Sequence, residues 1–169
     1  MITNTLLLSA AFVLTGMSQS SAATKFFDNY PDNPDDAWFV CETQTCGANL
    51  SPAVQFFSSA TGTTVKVTVP ISGHVQVLLR SDNNSVPGKV LEKKQVSARK
   101  LSTTIKMSVS LTSGTPYWLE VAPETGARTI WLSSESTNTC NAAEPNGTGW
   151  SVFESDTCPA AKIVGTADK

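Results

Sequence analysis

Histidine occurs once in the 169 residues, at His74, and charged side chains make up only 15% of the chain, against about 25% in an ordinary globular protein. One histidine at a turn, with no G-x-S-x-G elsewhere, leaves a serine-hydrolase triad without its usual framework. A formal net charge of −2 lacks the basic excess that nucleic-acid binders carry. No stretch reaches the ~20 apolar residues of a membrane-spanning helix. A phosphate-cradling glycine loop, a dinucleotide fingerprint and a haem motif are all missing. The four cysteines show no CxxC spacing and have no histidine near them, which argues against zinc. Polarity resides instead in hydroxyls, 20 Ser and 21 Thr. With 40% hydrophobic residues the chain can still bury a core, and its length suits one domain.

The amino-terminal residues read as an export signal. Leu6 to Leu14 is a short apolar run, followed by Ser20-Ser21-Ala22-Ala23, whose small residues suit cleavage before Thr24. A bacterial lipoprotein would need a cysteine where the sequence reads Leu14-Thr15-Gly16-Met17. The stretch Lys162 to Lys169 is polar, with no apolar tail or sorting motif. A secreted or periplasmic protein without a membrane span is therefore expected. Cys41, Cys46, Cys140 and Cys158 all follow the cleavage point and suit an oxidising compartment. Of the three possible pairings, Cys41–Cys46 with Cys140–Cys158 is favoured because each pair brackets a loop-like stretch; Cys41–Cys158 is the rival. Chain entropy makes the favoured bridges worth roughly 2 and roughly 3 kcal/mol.

From Gln55 to Ser134 the apolar residues recur at period two, the pattern of half-buried strands. Val65, Val67 and Val69 alternate with polar residues, as do Val75, Val77 and Leu79, and the run from Leu101 through Ile105, Met107, Val109 and Leu111. Pro116–Ala122, Thr129–Ser134 and Gly149–Glu154 add three more strands, with turn clusters between them. The expected fold is all-β, an antiparallel, disulfide-bonded, jelly-roll-like sandwich of 7–9 strands. Three regions are expected: a signal peptide over residues 1–23, an acidic segment with the small cysteine loop over 24–53, and the sandwich over 54–169. Within the last, residues 138–158 form a disulfide-closed excursion.

Gln55-Phe56-Phe57, Val75 to Asp82, Val86-Pro87-Gly88-Lys89-Val90-Leu91 and the later Gly114-Thr115-Pro116-Tyr117-Trp118 follow one another in an order that resembles the choice-of-anchor R domain. The resemblance covers residues 54–133, about half the chain. Members of that family are exported bacterial proteins. It implies a surface β-sandwich and offers no catalytic residues to carry over.

A ligand site is expected on the outer face of a hairpin. In Pro116–Ala122, Tyr117, Leu119 and Val121 make the apolar face and leave Trp118 and Glu120 opposite. In Thr129–Ser134, Ile130 and Leu132 leave Trp131 opposite. A short loop would set Trp118 across from Trp131, a flat platform for a sugar ring with Glu120 accepting its hydroxyls. A one-residue slip would put Trp131 in the core instead, and the acidic segment or the excursion could cover both rings. Asp28, Asp32, Asp35 and Asp36 with Asn29 and Asn33 are hard oxygen donors at spacings unlike a calcium loop, so a solvated turn is expected, with no metal and no cofactor. Lys89, Lys93, Lys94, Arg99, Lys100 and Lys106 read as the wet face of an edge strand. The expected function is an exported, non-catalytic module that binds carbohydrate or a cell-envelope glycan. The alternative is a structural surface, matrix or appendage component whose sandwich edges meet other subunits, and a glycan-cleaving hydrolase stands third; the expected partner is a glycan or a surface protein.

Overall fold

The computed structural model describes residues 23–30, 36–124, 126 and 128–168. The export signal expected over 1–23 lies outside them, Ala23 apart, as do Asp32, Asn33 and Asp35 of the acidic segment. The described chain folds into strands β1 (Thr24–Asp28), β2 (Asp36–Cys41), β3 (Ala53–Phe57), β4 (Gly62–Val69), β5 (Gly73–Asp82) and β6 (Pro87–Ala98). They are followed by β7 (Thr103–Met107), β8 (Pro116–Pro123), β9 (Arg128–Pro145), β10 (Trp150–Pro159) and β11 (Lys162–Ala167). A single helical turn, α1 (Thr43–Cys46), lies inside the small cysteine loop.

The strands form two antiparallel sheets. One has four strands in the order β1-β11-β4-β7; the other has seven, in the path β10-β9-β3-β8-β5-β6 with β2 paired to β9. Period-two alternation builds the space between them. Val67, Val69, Ile105, Met107 and Ile163 from the small sheet meet Val54, Phe56, Val75, Val77, Leu79, Leu119 and Val121 from the large one in one buried cluster. Leu101 lies outside it, 53% exposed, because β7 starts two residues later.

The sandwich begins earlier in the chain than residue 54. Within the acidic segment, β1 is an edge of the small sheet, with Phe26 fully buried, and β2 pairs with β9 from Asp36↔Ser133 to Cys41↔Arg128. These strands show no period-two pattern because only Phe26 and Val40 of their side chains join the main core cluster. Residues 138–158 are likewise sheet: β10 pairs with β9 from Trp150↔Pro145 to Pro159↔Ser133. The cysteines join as expected, Cys41 to Cys46 and Cys140 to Cys158.

The hairpin between Pro116–Ala122 and Thr129–Ser134 does not form. β8 is paired on one edge by β3 and on the other by β5, so no edge is left for β9. The first part of β9 runs instead between β2 and residues 70–72, where Ile71 bridges to Trp131.

One close contact sets a strand end. Gly62 exchanges backbone hydrogen bonds with Leu111 at 2.9 and 2.7 Å. A Cβ there would stand 2.3 Å from the Thr166 carbonyl oxygen and 2.6 Å from the Phe26 ring. Backbone paired on both sides cannot move aside, so Gly62→Ala is expected to lose about 3 kcal/mol, read as a lowered urea midpoint at unchanged slope. A midpoint equal to that of the parent protein would contradict this packing.

Candidate functional site

On β8, Tyr117, Leu119 and Val121 face the core, so Trp118 and Glu120 stand on the outer face of the large sheet. Register places Trp118 between Arg80 on β5 and Gln55 on β3, and Glu120 between Leu78 and Ala53. A polar network grows across that face. Asp82 Oδ1 accepts from the Trp118 indole N–H at 2.7 Å and from the Gln55 amide at 2.9 Å. Asp82 Oδ2 accepts from the Ser85 backbone N–H at 2.9 Å, and the Asn141 amide donates to Gln55 Oε1 at 2.7 Å. Burial works to raise the Asp82 pKa, but the bonds from Ser85, Trp118 and Gln55 outweigh it and hold the carboxyl below its ordinary value.

Asp82 also pins a turn. Asn84 and Ser85 have φ of 55° and 64°, and Asn83 and Val86 close the turn with mutual backbone bonds. This is the mirror-image two-residue turn whose twist suits a hairpin. Asp82 holds Trp118, the Gly88 carbonyl accepts from Arg80 Nη1 at 2.9 Å, and Tyr117 Oη accepts from the Thr112 N–H at 3.0 Å.

Glu120 is 4% exposed and takes a hydrogen bond from Arg80 Nε. Burial pushes its carboxyl above the usual glutamate value, and the Arg80 guanidinium offsets this only in part. Arg80 in turn lies 5.5 Å from the centre of the Trp150 ring. Arg80 and Glu120 line a cleft of about 520 Å³ whose wall is the cysteine loop, with Glu42, Asn49 and Ser51. The lining is polar and carries no aromatic ring among the described residues.

The expected tryptophan platform is not assembled. Trp118 is fully buried against Ala53, Ala143 and Trp150. Trp131 is fully buried between the sheets, and its indole N–H donates to the Ala160 carbonyl at 2.8 Å. Ile130 and Leu132 are only half-buried, so the faces of β9 are reversed from the sequence expectation. The pairing of β2 with β9 sets that register, and it depends on a segment about ninety residues upstream. His74 is exposed and shares a 2.7 Å hydrogen bond with Ser97.

An aromatic site lies elsewhere. β3 and β9 pair only at Ala53↔Ala143 and Val54↔Ala142 and then part. A pocket of about 450 Å³ opens in the gap, lined among others by Phe27, Gln55, Phe57, Thr139, Asn141 and Glu154, beside the Cys140–Cys158 bridge. Phe57 is 60% exposed, the most open large apolar side chain described. Phe27 packs on Phe56 with ring centres 5.2 Å apart. One sequence signal could have found it: in Gln55-Phe56-Phe57 a strand must bury one phenylalanine and turn the other out.

No family model, curated protein or solved structure matches the chain. Two disulfides, and no helix among the described residues long and apolar enough to cross a membrane, are compatible with an extracellular location.

Proposed function

We propose that the protein is an exported, non-catalytic β-sandwich that binds glycan in the gap between β3 and β9. The observation that carries the reading is the outward Phe57 ring over a pocket that also presents amide, hydroxyl and carboxylate groups. A sugar ring has an apolar C–H face and an equator of hydroxyls, so a site for it needs one flat apolar surface and several hydrogen-bonding partners. Phe57 supplies the first. Asn141, Thr139 and Glu154 supply the second, with Asn141 held in place by its bond to Gln55. The Arg80–Glu120 cleft has the polar groups without the flat surface, and so ranks below it. The resemblance of residues 54–133 to the choice-of-anchor R domain supports a surface role.

The test is calorimetric titration of the oxidised protein with peptidoglycan fragments and chitin- and cellulose-type oligosaccharides. Saturable binding is expected for at least one, weakened about tenfold in Phe57→Ala. Phe57 is exposed, so the variant should keep the parent circular dichroism spectrum. Binding that is indifferent to Phe57→Ala moves the site elsewhere, and no binding by any glycan overturns the reading.

A further inference from the structure

We infer that the two open ends of the large sheet, β6 and β10, are complementary and join one copy of this chain to the next. Among the described residues, each of these strands pairs on one side only. They are the long edges of the molecule, twelve and ten residues, against five each for β1 and β7. Consecutive residues are exposed on both, Lys93, Lys94 and Gln95 on β6 and Ser151 to Glu154 on β10, with the Phe153 ring stacked on Trp38 at 5.8 Å between centres.

Charge divides the two ends. β6 carries Lys89, Lys93 and Lys94 against Glu92, which is itself paired with Lys94 at 2.8 Å. β10 carries Glu154 and Asp156 and no basic residue. Apolar surface is present at both, with Leu91 40% exposed on β6 and Val152 and Phe153 37% and 40% exposed on β10. Lysines along an edge normally repel other strands; facing an acidic strand, they select it.

Topology makes the joint continuous. The path β10-β9-β3-β8-β5-β6 holds six strands, each antiparallel to its neighbour, so its two ends run in opposite directions. A second copy carried along the sheet by translation and sheet twist therefore sets its β10 antiparallel to β6 of the first. Lys93 lies opposite Leu78 and Glu154 opposite Asn141, both on the outer face, so pairing Lys93 with Glu154 keeps the pleat in phase. The contact is head-to-tail, and such contacts propagate into filaments or rings.

Sedimentation velocity on the full oxidised protein tests this without any glycan, so its outcome is separate from that of the glycan reading. The average mass is expected to grow between about 10 µM and about 1 mM protein at low salt, the range of weak association, and to fall back at about 0.5 M salt. Lys93→Glu and Glu154→Lys should each weaken association about tenfold or more, and the double variant Lys93→Glu/Glu154→Lys should restore most of it. Gln95→Pro removes one edge donor and should block assembly with the fold intact. A monomer throughout that range, association unchanged by the single reversals, or failure of the double variant to recover overturns the inference.

Discussion

Trp131→Ala is expected to remove a large fraction of the protein's stability and to lower its urea midpoint sharply. The indole is fully buried among the residues that join the two sheets. Its N–H meets the Ala160 carbonyl at 2.8 Å, and its backbone bridges to both β2 and Ile71. Emptying such a site costs about 3–5 kcal/mol, set against a total of about 5–15 kcal/mol for a domain. The freed carbonyl adds to the loss. Urea unfolding followed by circular dichroism reads the effect. A midpoint within experimental error of the parent would show that Trp131 is not the keystone of the joint.

The second large effect is expected at Asp82 and depends on pH. Asp82→Asn replaces a charged acceptor of three bonds with a neutral amide, one end of which cannot accept. A loss of about 2 kcal/mol follows at neutral pH. The folded protein holds the Asp82 carboxyl below its ordinary 3.8, so the unfolded chain takes up the proton first. The stabilisation is then complete above that ordinary value and disappears as pH falls through the lowered folded one. Urea midpoints of parent and variant should differ fully at pH 7 and converge as pH falls well below the ordinary carboxylate value. A gap that stays constant with pH, or is absent at pH 7, removes Asp82 from the centre of the network. Glu120 acts in the opposite sense: its carboxyl is raised by burial, so its ionisation lowers stability as pH climbs from the ordinary glutamate value through the folded one.

Much of the architecture was legible along the chain. Alternation in Val67–Val69, Val75–Leu79 and Tyr117–Val121 named both the strands and their inward faces, because a strand between core and solvent must repeat every two residues. The cysteine spacing pointed to the right pairs for a similarly local reason: each bridge closes a short stretch. The outer-face network was not legible, since Asp82, Arg80, Gly88 and Trp118 meet only after β5, β6 and β8 pair.

Strands with few inward apolar residues escaped that reading. β1 and β2 are short and bury few side chains in the core, whereas the lysine-rich β6 is the edge strand its sequence suggested, with lysines on both of its faces. The Trp118–Trp131 pair failed for a different reason. Local pattern can say that two segments are strands, yet their partnership depends on which edges remain free. Here β3 and β5 had taken both edges of β8.

The sequence by itself determined the all-β class, the core faces of the central strands and the disulfide pairs, all of them properties of neighbouring residues. Only the tertiary structure decided that Trp118 and Trp131 are buried, that Phe57 stands over a gap, and that the ends of the large sheet carry opposite charge. Those depend on strand order and register, and both follow from pairings between segments far apart in the chain, where no local periodicity reaches.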